Sequence, residues 1–160
     1  MMTAGPEMMA AGPEMMAAGP EITTAPMDPA KLRGLNTDAL AYVGDAVYEL
    51  AVRRRVLQSG ITRADRLHRT GTSYVRADAQ AAVCKSIYEE LTEQEQAMVR
   101  RFRNHKYHSK AKHTDPMTYK WATAFEALAG YLYLAGEGQR LAWLFDRAFA
   151  VVEASEPDEA

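Results

Sequence analysis

Only one cysteine, Cys84, occurs in the 160 residues. A single thiol makes no intramolecular disulfide and no thiolate metal cluster. Such sparing use of cysteine fits a reducing cytosol. No apolar run is long enough to cross a bilayer, so no membrane partner is expected. The first residues lack the basic start and continuous apolar centre of a signal peptide. Bases are missing from both ends: residues 1–30 and 153–160 hold eight of the 21 acids and no Lys or Arg. The other 13 acids share 31–152 with all 19 bases, so that span carries +6 although the whole chain is −2. A basic centre between acidic ends points to a polyanionic partner, nucleic acid first.

What is present is an ordinary globular composition, 48% hydrophobic and 25% charged, with length enough for one domain and its core. Residues 1–21 repeat a seven-residue unit three times, each with Gly-Pro, and Gly-Pro stops a helix. Residues 1–29 are therefore expected to be a disordered low-complexity tail, 30–152 one all-α domain, and 153–160 an acidic tail. From Pro29 onward the apolar spacing is helical. A first helix is expected over 37–58, closed by Ser59-Gly60. A second starts near Thr62 and is interrupted at Gly71-Thr72-Ser73. A third runs through Val75, Ala79, Val83, Ile87 and Leu91. Cys84 shares its spacing with Ile87, which reads as a small buried hydrophobe. Thr92 and Glu95 have capping-box spacing and open a fourth helix ending near Arg103. A fifth covers 119–134, ended by Gly136 and Gly138, and a last one covers 140–152 with Leu141, Leu144, Phe145, Phe149 and Val152 turned inward.

Three places carry chemistry. In the first helix, Gly44 costs about 1 kcal/mol against Ala, and Asp45 follows it in a mostly apolar run. A glycine that clears space beside such a carboxylate suits a hard cation bound by oxygen. A surface Asp beside a helix-packing Gly explains the same pattern. In the fifth helix, Glu126 lies among Phe125, Ala127 and Leu128, and a buried Glu needs a cation or a proton. An Arg from another helix would also serve. Between them, residues 100–113 hold six Lys or Arg (Arg100, Arg101, Arg103, Lys106, Lys110 and Lys112), three His and no acid. A basic segment interleaved with Phe102 and Tyr107 suits phosphates, as an RNA-binding segment; a solvated charge run is the plainer reading. Arg53-Arg54-Arg55 is either a solvated face or a further phosphate contact. His105 and His108 lack the Cys or carboxylate partners that zinc needs.

The run from Leu40 to Glu49, Leu-Ala-Tyr-Val-Gly-Asp-Ala-Val-Tyr-Glu, resembles the catalytic helix of the ribonuclease III family. Phe125 to Tyr133, Phe-Glu-Ala-Leu-Ala-Gly-Tyr-Leu-Tyr, resembles that family's second metal-binding helix. With Leu67-His68-Arg69 and the run from Arg100 to Asn104, the likeness is to the compact Mini-ribonuclease III branch and covers about 30–152. It implies an all-α ribonuclease III catalytic-domain-like helical bundle, a homodimer, and Mg²⁺-dependent cleavage of double-stranded RNA. It implies no separate double-stranded-RNA-binding domain, and the chain leaves no residues for one. By resemblance Asp45 is the catalytic Asp and a metal ligand, and Glu126 is its metal partner. Asp38 is a supporting acid two turns earlier on the same face. The chain departs from the larger enzymes at Ala41, where they place a Glu, and at Thr123, where they place an Asp. Water and substrate phosphate are then expected to complete an octahedral Mg²⁺.

The implied role is maturation of a large-subunit ribosomal RNA precursor in the cytoplasm, on a pre-50S particle or with a ribosomal protein. The apolar first and fifth helices are expected to form the dimer interface, because one copy of this size would struggle to cover both. Two rivals remain at this level. One is a non-catalytic helical RNA-binding or ribosome-assembly module with Asp45 and Glu126 salt-bridged. The other is a helical nucleotide pyrophosphohydrolase, for which only Glu90 and Glu93 supply acids at the right spacing.

Overall fold

The computed structural model describes residues 25–106 and 115–155, and all the regular structure among them is helical. Residues 1–24, 107–114 and 156–160 lie outside the described residues. So do most of the expected tails, with Lys110 and Lys112. The helices are α1 Pro29–Arg33, α2 Thr37–Gln58, α3 Ala64–Val75, α4 Ala77–Ile87, α5 Glu93–Arg103, α6 Pro116–Leu134 and α7 Gly138–Ser155, with a 3-10 turn over Tyr88–Glu90 after α4. None is long and apolar enough to cross a membrane.

Local signals start these helices. The Asn36 side chain accepts from the Ala39 N–H at 2.8 Å and caps α2. Asp115 caps α6 ahead of a first-turn Pro116. Thr92 and Glu95 form the expected reciprocal capping box. Glu95 then continues inward to Arg140, which donates to it at 2.8 Å. Burial pushes the Glu95 carboxyl up, but the bonds from Arg140 and Thr92 outweigh it and hold the group below its usual range. Glu90 is taken up by Arg147 at 2.9 Å. Of the two acids a pyrophosphohydrolase would use, Glu90 and Glu93, the first is held by this arginine.

The fold is organised around α6. Its buried residues include Ala122, Ala124, Ala127, Ala129 and Gly130, beside Phe125, Leu128 and Leu132. Such small residues let α2, α4, α5 and α7 all lie against it. That corrects the expectation that α6 needs a second copy for cover: with so little side-chain bulk, helices of a single chain surround it. Among the described residues α2 keeps an outward apolar face, with Tyr42 83%, Leu50 54% and Leu57 55% exposed, while Met117 in the first turn of α6 is also exposed. On its inner face Tyr48 is fully buried and meets Phe125 edge-on at 5.0 Å, with Phe145 and Phe149 around it. Cys84 is buried as expected.

Three boundaries differ from the sequence reading. α3 runs through Gly71-Thr72-Ser73 and breaks at Arg76, whose ψ of 150° is extended. Thr72 and Ser73 return their hydroxyls to the His68 and Thr70 carbonyls within the helix, and Tyr74 anchors the last turn in the core. Gly136 (φ 74°) turns the chain after α6, but Gly138 opens α7 instead of closing α6. α7 continues to Ser155, so Glu153 is helical and holds Arg55 at 2.8 Å. Arg55 also lies over the Phe149 ring, and Arg53 pairs with Glu49. This leaves Arg54 as the exposed member of the arginine run that enters no ion pair among the described residues.

Candidate metal site at the crossing of α2 and α6

Where α2 crosses α6 the two backbones are in direct contact. A methyl group on Gly44 would overlap the carbonyl oxygen of Glu126, and one on Gly130 would overlap the carbonyl oxygen of Leu40. Both glycines are there because two helix backbones touch. Of the two sequence readings of Gly44, helix packing is the one observed. The crossing has a second consequence: Asp45 follows one contact residue and Glu126 is the other, so the charge of Asp45 acts on the Glu126 carboxyl.

Their electrostatics follow from that placement. Glu126 is half-buried, and its carboxyl is pushed up to about 7, first by burial and then by the charge of Asp45, with Gln80 acting in the opposite direction. Asp45 is exposed, and it too is raised, by partial burial and by Glu49 one turn on. Two like charges near each other hold one carboxyl in its protonated form to higher pH, and the more buried Glu126 is the one pushed up further. No Lys, Arg or His forms an ion pair with either carboxylate among the described residues. The described residues therefore contain neither the arginine partner considered for Glu126 nor a cation paired with Asp45.

The other expected site residues lie elsewhere. Asp38 sits at the start of α2 and faces His105 at 3.6 Å, at the root of the basic segment. Arg100 donates to the Tyr88 hydroxyl at 2.7 Å, and Arg103 lies over the Trp121 ring at 5.0 Å. Arg101 and Lys106 are exposed. Ala41 is buried, and the Thr123 hydroxyl donates to the Tyr119 carbonyl of its own helix at 2.9 Å. Neither position where larger relatives place an acid contributes a ligand. Among the described residues no cluster of three or more His, Cys, Asp or Glu is placed to hold an ion, so the site is a pair of carboxylates. The residue that sequence reasoning missed is Gln80 on α4, a fully buried amide beside Glu126. The signal was there: Gln80 shares a helical face with Val83, Cys84 and Ile87, where a polar residue is costly.

Comparison with known proteins agrees with this geometry. A family described as "Ribonuclease III domain" matches residues 38–137. Mini-ribonuclease 3 of Symbiobacterium thermophilum is 50% identical over 114 residues, 71% of this chain and 88% of that protein. The protein of the same name from Brevibacillus brevis is 44% identical, over 74% of this chain and 88% of that protein. The one from Streptococcus pneumoniae is 41% identical, over 74% and 94%. A crystal structure of a Fusobacterium nucleatum protein, 28% identical, superposes with a TM-score of 0.66 over 75% of this chain and 96% of that one. By sequence, by fold and by the two helices that cross at Gly44 and Gly130, the chain belongs to the Mini-ribonuclease III branch of the ribonuclease III family and is an endoribonuclease.

Proposed function

We propose that the protein cuts double-stranded RNA using Mg²⁺ held between Asp45 and Glu126. What supports this reading is a half-buried carboxylate on α6 that feels the charge of a second on α2, beside the contact of the two helix backbones, with no protein cation paired to either among the described residues. A hard divalent ion fits an all-oxygen donor set of this kind. When bound, such an ion supplies an activated water and neutralises charge on the scissile phosphodiester. Asp45 and Glu126 hold it from the two helices. Asp38 supports from the start of α2, through its contact with His105. Arg100, Arg101, Arg103, Lys106, Lys110 and Lys112 hold the A-form backbone, so recognition is of shape and 2′-hydroxyls more than of sequence. The products carry 5′-phosphate and 3′-hydroxyl ends. A homodimer joined through the outward apolar face of α2 would present one site to each strand. The natural substrate in this reading is the large-subunit (23S) ribosomal RNA precursor, met in the cytoplasm on the assembling particle.

The test is incubation with a purified RNA duplex, with and without Mg²⁺. Metal-dependent appearance of 5′-phosphate ends is expected; cleavage that survives removal of divalent ions overturns the proposal. The basic segment makes its own prediction. Replacing Lys106, Lys110 and Lys112 by Ala is expected to weaken duplex binding. It should also flatten the dependence of log K on log salt by about 0.9 for each phosphate that is no longer neutralised. An unchanged slope would remove the segment from the interface.

Glu126 also predicts a pH effect on the metal-free protein. Its folded pKa of about 7 lies above the ordinary 4.5, so the native state retains a proton that the unfolded chain has released. Stability is then greatest below the unfolded value, falls as pH rises through the interval, and is lowest above the folded value. A shift of that size corresponds to about 3 kcal/mol. Glu126→Gln removes the penalty. In EDTA the variant should melt above the parent at pH 8 and close to it at pH 4; a difference that does not change with pH contradicts the assignment.

A further inference from the structure

Gln80 is 1% exposed, on the face of α4 that packs against α6. Its Nε2 is buried and meets no acceptor in hydrogen-bond geometry. A buried N–H left in that condition is destabilising, and Gln80 shares its helix face with the buried Val83, Cys84 and Ile87. The amide nevertheless stands beside the Glu126 carboxyl and favours its ionised form. The amide is near enough to act on that carboxyl, yet its Nε2 has formed no hydrogen bond. Reversing the amide would set Oε1 against the same carboxylate, which repels it. Two nearby positions in the sequence pattern offer no donor: the Thr123 hydroxyl is bound to the Tyr119 carbonyl, and Ala41 has no polar group.

We propose that Gln80 is the positioning residue of the metal site, its Nε2–H closing on one carboxylate oxygen of Glu126 so that the other is directed to the ion shared with Asp45. The proposal rests on Glu126 being a metal ligand. A carboxylate offers about four lone-pair sites on two oxygens, and a half-buried one with a free side-chain torsion points at an ion only part of the time. A donor fixed in the core removes that freedom. Hydrogen bonds to ligating carboxylates do this in metal sites generally, and their loss weakens metal affinity or activity by about 10- to 100-fold. Ala41 and Thr123 add no carboxylate to the site, so orientation of one carboxylate takes the place of additional charge.

The experiment is calorimetric titration of the RNA-free protein with Mn²⁺, for parent, Gln80→Met, Gln80→Asn and Glu126→Gln, with melting of each in EDTA. Met has nearly the length and volume of Gln and no N–H. Gln80→Met is expected to bind Mn²⁺ about 10- to 100-fold more weakly, and to melt no lower than the parent because an unsatisfied donor has been removed. Gln80→Asn keeps the amide one methylene short of Glu126 and is expected to match Gln80→Met; it decides the question if Gln80→Met does not fold. In duplex cleavage both should lower kcat at fixed Mg²⁺ and leave the KM for RNA unchanged. Parent-like Mn²⁺ affinity in Gln80→Met, or a lower melting point with affinity intact, overturns the role of Gln80 while Glu126→Gln still loses binding. Parent-like binding by Glu126→Gln instead overturns the metal site itself.

Discussion

Replacing Asp45 by Asn is expected to reduce duplex cleavage by about 10³-fold or more, with RNA affinity, melting temperature and oligomeric state retained. The size follows from losing metal-assisted stabilisation of several kcal/mol at the transition state, where each 1.4 kcal/mol is about tenfold in rate. The selectivity follows from position. Asp45 is exposed, forms no ion pair among the described residues, and is raised by burial and by Glu49. Its charge therefore works against the fold in the absence of metal, and an amide of the same shape leaves the packing alone. The basic residues proposed to hold phosphates are other residues, Arg100 to Lys112, so duplex affinity in EDTA should not fall. Two outcomes would contradict the account: cleavage within tenfold of the parent, or loss of cleavage accompanied by loss of fold.

Gly44→Ala is expected to have the largest effect on folding of any single methyl group in the chain. Its Cβ would overlap the Glu126 carbonyl and crowd the Gly130 amide. Both are backbone, so no rotamer change relieves them, and α2 must move off α6. Adding a methylene to a packed core costs about 1–3 kcal/mol when side chains can adjust, and here the upper end or more is expected. Because the same contact places Asp45 beside Glu126, Mn²⁺ affinity should fall together with stability. Gly71→Ala is the control. Gly71 is also within a helix, but nothing lies within 4 Å of where its Cβ would be, and the substitution should stabilise by up to about 1 kcal/mol. Urea unfolding of the two variants should give opposite signs. Equal effects would mean that Gly44 matters only as a weak helix former.

The helical pattern and the two candidate carboxylates were legible in the sequence because each left a local conflict. Gly44 is a poor helix residue in a strong helix, and Asp45 and Glu126 are acids in apolar runs. Thr92, Glu95, Asn36 and Pro116 announced their helix starts through caps that depend on neighbours within one turn. What was not legible depended on partners distant in the chain. The break at Arg76 instead of Gly71 reflects Tyr74 anchored against Phe149. The cover of α6 by one chain reflects how closely alanines and glycines let four helices approach. Arg55 reads as a phosphate contact until Glu153, 98 residues later, is seen to hold it. Gln80 gave only a faint signal, since one glutamine on an apolar face looks like an ordinary exception until Glu126 is placed next to it.

The central claim is that Asp45 and Glu126 come together around a divalent ion. It is tested most directly by anomalous diffraction from a crystal soaked in Mn²⁺. A single anomalous peak within coordination distance of both carboxylates is the expected result. Manganese bound by only one of them, or found only at other acids such as Asp38 or Glu49, would contradict the account.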